Sequence, residues 1–451
     1  MRKLIHLAWP VFIAQAAIML NGLIDTLMAG RLSALDLAAI GVGSAIFGAV
    51  VVTSLGVLLA LTPIVAHLYG SGQHAEIGEE VRQSAWIALA VALLVVGLLW
   101  HPDPLLAIAR LDPVVEVKVR TYLHAMMATV PAALGLRLFS GLSSGIGRPR
   151  PVMLLNLFAL SLKAPLNALF MYGGFGLPAL GAAGCGVASA LCAWSACLLA
   201  WLWCAHWEEY REFALFARWS WPQRKRLAEF LKLGLPIGAT FLVDVTAFTF
   251  MALFIARLGP IASGAHQIAA NLAVLCFMLP TSIGYAAGVL SGQALGAKRP
   301  DAARRIGLRG FALGLGCAAV VAAMLALGHA ALARFYTTDA NIQALAAQLI
   351  LLVALYHLTD GLQTVAVNLL RGYKRATASM LIYAVALWGI GLPLGVTLGL
   401  GDRFGAPLGP AGFWLAATAA LTLAGTAVTA YWLRISAAAI QNAPAPATTS
   451  A

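Results

Sequence analysis

Five formally charged side chains stand inside long apolar stretches of the sequence: Asp25, Arg137, Lys163, Asp244 and Asp360. A charge at a bilayer centre costs at least about 2.5 kcal/mol unless it faces a cavity or a partner, so each is a candidate for function. Asp244 follows Lys232 by twelve residues and Asp360 precedes Arg371 by eleven. At about 1.5 Å per helical residue both lie roughly 16–18 Å from basic loops, in one layer on different helices. Arg137 and Lys163 fall at a similar depth, about 16–20 Å from Arg148 and Arg150. Asp25 is only about 9 Å from Arg31 and the opposite surface. The spacing predicts two levels, a mid-membrane carboxylate pair and a lone carboxylate.

Two carboxylates in one low-dielectric cavity resist ionising together unless a cation sits between them. Loading H⁺ or Na⁺ neutralises such a site and shifts the preferred conformation, which is what an ion-coupled antiporter requires; a cationic solute competes for the same charge. Na⁺ is the candidate metal at Asp244 and Asp360. Tyr356, one turn before Asp360, and Asn167 are polar groups suited to complete the coordination. His357 lies three residues from Asp360 on nearly the same face. Each has a plainer reading. An intramembrane aspartate can pair with Lys163 or Arg137 as structural glue, Tyr356 can be an ordinary buried tyrosine, and a lone helical histidine is more often a packing residue.

The elements that position these groups follow from composition. Of 451 residues, 61% are apolar and 10% charged, too few charges to cover a soluble protein of this size. Six cysteines all lie in apolar stretches, with no CxxC pair and no His/Cys cluster, so neither a disulfide framework nor a zinc site is indicated. Met1-Arg2-Lys3 and the run after it resemble a signal peptide only superficially, because the run continues past Asp25. Stretches near 20 apolar residues, the length of one span, recur at 7–29, 37–68, 83–100, 121–146, 152–173, 183–206, 233–256, 262–295, 306–333, 343–370, 377–400 and 411–433. The second and eighth are long enough to be tilted, broken or partly outside the hydrocarbon core, and Gly56 and Pro63, or Pro280 and Gly284, suit a break. The expected fold is an all-α membrane protein with twelve transmembrane helices.

The net charge of +12 would suggest nucleic acid in a soluble chain. Sorted by loop, however, the N-terminus, even-numbered loops and tail hold 20 Lys and Arg against 8 Asp and Glu, and the odd-numbered loops 7 against 6. The positive-inside rule then puts both termini in the cytoplasm, and no nucleic-acid partner is expected. Lys298, Arg299, Arg304, Arg305 and Arg309, with Arg371, Lys374 and Arg375, are the strongest anchors; contact with anionic membrane lipid is a weak addition.

The chain also repeats itself. An offset of 226 lays Leu7-x-x-Pro10 on Leu233-x-x-Pro236, Arg31-Leu32 on Arg257-Leu258, Gly135-Leu136 on Gly361-Leu362 and Arg148 on Lys374. This predicts two pseudo-symmetric six-helix lobes in the same orientation, residues 1–206 and 233–434, the parallel-repeat plan of several secondary transporters. A polar linker (207–232) joins them and a disordered tail (435–451) follows. The aspartates do not repeat: Asp25 faces Met251, Asp244 faces Ile18 and Asp360 faces Leu134.

Asp25-Thr-Leu-Met-Ala-Gly-Arg31, Leu37-Ala-Ala, Gly264-Ala-His-Gln-Ile-Ala-Ala-Asn271 and Arg371-Gly-Tyr-Lys374 together resemble the multidrug and toxic compound extrusion (MATE) family, in its NorM-like bacterial branch. The similarity runs in order over nearly the whole chain. It implies a V-shaped cavity between two six-helix bundles and export of cationic, amphipathic compounds in exchange for Na⁺ or H⁺. It also implies a role for Asp25 in proton coupling or substrate binding and for Asp360 in a second-lobe cation site. Tyr356 matches an aromatic near that site, Asn167 a fifth-helix asparagine, and Asp244 stands where glutamate is usual. Lys163 stands where a neutral asparagine is expected, and its ammonium near the carboxylate pair would replace a bound Na⁺; both departures favour protons.

The expected protein is therefore an inner-membrane, monomeric antiporter of small organic cations, with no cofactor beyond the coupling ion. One rival is a flippase for lipid-linked precursors, which calls for more cationic residues than Arg137 and Lys163. Another is an intramembrane hydrolase, for which Val-Asp-Val-Thr and Leu-Thr-Asp-Gly supply no activating motif. A passive channel would show a ring of repeated polar groups.

Overall fold

The structure, a computed structural model, describes residues 1–109, 111–174, 176–401 and 405–442, with the side chains of residues 108 and 109 left out. Among these residues the chain is helical, with one isolated bridge between Gly174 and Leu177. The helices are α1 (Arg2–Leu32), α2 (Ala34–Leu58), α3 (Leu61–Gly70), α4 (His74–Trp100), α5 (Asp103–Ala109), α6 (Pro113–Met127), α7 (Thr129–Gly145), α8 (Arg150–Tyr172) and α9 (Ala182–His206). They continue with α10 (Glu208–Arg211), α11 (Arg224–Ala256), α12 (Pro260–Gly296), α13 (Pro300–Tyr336), α14 (Ala340–Gly372), α15 (Ala376–Ala384), α16 (Leu392–Gly399) and α17 (Pro410–Gln441). Among the described residues eleven spans are long and apolar enough to cross a bilayer, and twelve if the pair α6 and α7, bent by 43°, forms one span. Large apolar side chains such as Leu93, Leu94, Leu198 and Leu327 are exposed, as expected where the solvent is hydrocarbon.

Several boundaries differ from the sequence reading. The second span is interrupted at Leu59 and Ala60, between α2 and α3, whereas the eighth, α12, stays helical through Pro280. Its proline ring packs 3.8 Å from where a Cβ on Gly361 would stand; neighbouring helices make prolines tolerable inside spans. Helix α4 begins at His74 rather than residue 83, α11 at Arg224 inside the expected linker, and α17 continues to Gln441 beyond residue 434. The rest of the expected tail, 443–451, lies outside the described residues. The eleventh span contains a π-helical stretch, Val385–Gly391.

The chain forms two compact units, one of Trp9–Gly238 and the other of Ala239–Ala451 with Met1–Ala8. Their helix ends repeat. After α3, Gly72 adopts φ +73° and donates to Tyr69 O; after α12, Lys298, 226 residues on, adopts φ +55° and donates to Leu295 O. After α7, Gly147 (φ +83°) donates to Ser144 O, and after α14 Lys374 (φ +56°) donates to Arg371 O. That second pair stands 227 apart, so Arg148 corresponds to Arg375 and the register slips by one residue. A lysine in the left-handed region carries a backbone cost of about 1–2 kcal/mol that glycine avoids.

Small residues set the packing of the second unit, as in membrane bundles generally. A Cβ on Gly372 would overlap the backbone of Gly288, and one on Gly284 would come within 3.1 Å of Val365 Cα. In the first unit, buried Asp36 ties three helices: it accepts from Lys118 Nζ at 2.8 Å and the Ala182 amide at 3.0 Å, while Ser33 caps α2. The segment after α9 folds onto the start of α4. Glu79, with a side chain only 3% exposed, accepts from Arg82 (2.9 Å), Ser220 (2.8 Å), Arg218 (3.1 Å) and Gln83 (2.9 Å). Trp86 donates to Ser220 O at 3.0 Å and stacks on Trp221. Tyr210 meets Ser143 at 2.9 Å, and burial pushes its phenol up to about 12.

Candidate functional site

The intramembrane charges gather into two clusters, one per unit. In the second unit, α11 carries Asp244 and α14 carries Asp360, Tyr356 and His357. Asp360 is buried, and Thr364, one turn on, faces its Oδ1 at 3.4 Å. Asp244 accepts from the Tyr383 hydroxyl at 2.7 Å. The two carboxylates interact electrostatically with each other, and both act on Tyr356 and Tyr383. An aromatic wall stands beside them: Tyr356 meets Trp414 edge to face at 5.4 Å and Phe248 at 6.3 Å, and His266 lies 5.8 Å from Trp414. His357 is buried, with Nε2 unbonded.

Tyr383 was not legible as a site residue. It stands in the last turn of α15, two residues before the π-helical stretch, and the wider i→i+5 turns of a π-helix re-aim side chains, frequently at functional sites. Trp388, within that stretch, reaches Val243 O at 3.4 Å, beside Asp244. The available sequence signal was a phenol hydroxyl in a span that also holds Gly389, Gly391 and Pro393, where Thr377, Ser379 and Thr397 carry the other hydroxyls.

In the first unit Lys163 does not serve the carboxylate pair. Its Nζ lies 2.9 Å from Asp25 Oδ1, with side chains 3% and 15% exposed, and also bonds Ser189. Asn167, one turn further along α8, donates to Asp25 Oδ1 at 2.7 Å. So Lys163, Asn167 and Asp25 share one level, correcting the two-level reading for Lys163 and the placement of Asn167 near Asp360. Helix α8 has 23 residues, about 34 Å; a depth counted from Arg150 alone ignores how near Lys163 also is to the far end. Arg137 sits half-buried on α7.

Carboxylates backed by hydroxyls and aromatic faces can hold a hard monovalent cation or a proton. Among the described residues no group of three His, Cys, Asp or Glu side chains is placed to hold a metal ion, so the second-unit cluster offers two carboxylates and neutral oxygens. The MatE family model matches twice, over residues 10–169 and 236–397. The chain belongs to the MatE family. It is similar to the probable multidrug resistance protein NorM of Aromatoleum aromaticum, 39% identical over 424 residues covering 94% of this chain and 91% of that protein. The multidrug resistance protein NorM of Vibrio vulnificus is 37% identical over 433 residues, 96% of this chain and 95% of that one. Among solved structures, the Vibrio cholerae MATE transporter VcmN in its bent form superposes with a TM-score of 0.87 at 18% identity, over 98% of both chains. This MatE chain is thus a multi-pass transport protein of the bacterial inner membrane, and not an enzyme.

Proposed function

We propose that this MatE chain is a secondary active multidrug exporter, moving cationic amphipathic compounds outward in exchange for H⁺ or Na⁺ by alternating access, with both termini cytoplasmic. The observation that carries the reading is the second-unit cluster: Asp244 and Asp360 interact across an otherwise apolar interior with Tyr383, Thr364 and Tyr356 around them. A pair of carboxylates at that depth is costly unless neutralised, so loading one cation and releasing it changes which conformation is stable. The family relationship, with relatives named for multidrug resistance, supports the substrate class. Asp25 supplies a substrate or protonation step in the first unit.

The test is efflux of a fluorescent organic cation from inverted vesicles, with the imposed gradient switched between H⁺ and Na⁺. One of the two gradients is expected to drive transport, and Asp360→Asn to abolish it at unchanged membrane insertion, since neutralising a buried carboxylate lowers the insertion cost. Transport independent of both gradients, or full activity in Asp360→Asn, overturns the reading.

A further inference from the structure

Lys163 Nζ meets two oxygen atoms, Asp25 Oδ1 at 2.9 Å and Ser189 Oγ; one helical turn along the chain stand two amides, Asn167 after Lys163 on α8 and Asn21 before Asp25 on α1. The Oδ1 atoms of Asn21 and Asn167 are both buried without a hydrogen-bond partner. Asn167 is fully buried, and it spends its amide nitrogen on Asp25 while its oxygen stays unused. Buried amide oxygens without a donor are costly and rare, and here two of them belong to residues one helical turn from the members of a single buried ion pair. Carboxylate, amide and hydroxyl oxygens are the ligand types of a hard cation, and one negative charge suits a monovalent one.

We infer that Lys163 is the resident cation of this first-unit site: a tethered ammonium occupying the place of a monovalent metal ion and keeping sodium off Asp25. With Lys163 in place the pair is neutral, and a second cation would bring an uncompensated charge into a dry interior. Removing the ammonium leaves the Asp25 carboxylate, to which the Asn167 amide is bonded, and the Ser189 hydroxyl to an ion of that charge. The inference deepens the antiport reading by confining any sodium to the Asp244 and Asp360 cluster.

The test is equilibrium binding of radioactive sodium to the purified full-length chain, which involves no transport step and so fails separately from the vesicle experiment. Lys163→Met is expected to gain one sodium ion per chain over the parent, and Lys163→Met/Asp25→Asn to lose it again. No gain overturns the inference, as does a gain that survives loss of Asp25. Sodium is also expected to raise the melting temperature of Lys163→Met by more than that of the parent, with Lys163→Arg behaving as the parent does, and equal shifts in the two variants overturn it. If Lys163→Met does not fold, Asp25→Asn alone decides: it must bind as much sodium as the parent, and a drop means that Asp25 was holding sodium beside Lys163.

Discussion

Glu79→Gln perturbs the attachment of the segment after α9 to α4 with almost no change of volume. The carboxylate is nearly inaccessible and receives Arg82 at 2.9 Å, Ser220 at 2.8 Å, Gln83 at 2.9 Å and Arg218 at 3.1 Å. The Arg82 pair is buried on both sides, 13% and 3% exposed, and a charge-assisted bond of this kind contributes about 1.5–3 kcal/mol. Arg218 is 69% exposed, so solvent screening holds its share below about 1 kcal/mol. The glutamine amide also turns two donors toward a shell built of donors. The sum is about 2–4 kcal/mol, close to the range for breaking a buried ion pair, and at about 1.4 kcal/mol per decade it raises the open population of the segment roughly 30- to 700-fold. Two assays read it. Trypsin cutting at exposed Arg211 and Arg218 should accelerate by at least about 30-fold when cleavage follows the open population. Tryptophan emission should shift as Trp86 loses its contacts with Trp219 and Trp221. A cleavage rate within about threefold of the parent, with unchanged emission, would refute the view that Glu79 holds this segment down.

Tyr383→Phe removes the 2.7 Å bond to Asp244 and leaves the ring in place; at about 1.5–3 kcal/mol, gradient-driven uptake at subsaturating coupling ion should fall at least about tenfold at unchanged expression. Uptake equal to the parent would remove Tyr383 from the site. Tyr210, whose phenol burial raises to about 12, contributes stability that is complete below its unfolded value of 10.0 and is lost as pH rises through the folded value. Tyr210→Phe should therefore flatten the alkaline limb of a melting-temperature profile between pH 10 and 12, and an identical limb in both proteins counts against that assignment.

Much of the fold was written locally. Spans follow from runs of apolar residues whose burial in lipid is a property of each segment, and equivalent helix ends recur at the repeat's spacing in caps as specific as Gly72 and Lys298. Boundaries were legible only where charge and apolarity change together. Glu76, Glu79 and Glu80 made the first turns of α4 look like loop, although Arg226, the Glu79 shell and Trp221 carry that helix out to His74. Pro280 looked like a break because its ring removes a backbone donor, yet α12 stays helical through it, whereas the second span does break, at Leu59 and Ala60 between Gly56 and Pro63.

The sequence by itself determined that this chain lives in lipid and that Asp25, Asp244 and Asp360 must be compensated, because desolvating a charge costs free energy wherever the helix sits. Which partner compensates each one was decided by tertiary structure alone. Lys163 and Asp25 are 138 residues apart and Tyr383 and Asp244 are 139 apart. Whether such groups meet depends on the rotation of each helix and on its neighbours, and depth along a single helix carries neither. Distance along the chain placed Lys163 with the carboxylate pair, whereas the packing of α1, α8 and α9 gave it to Asp25.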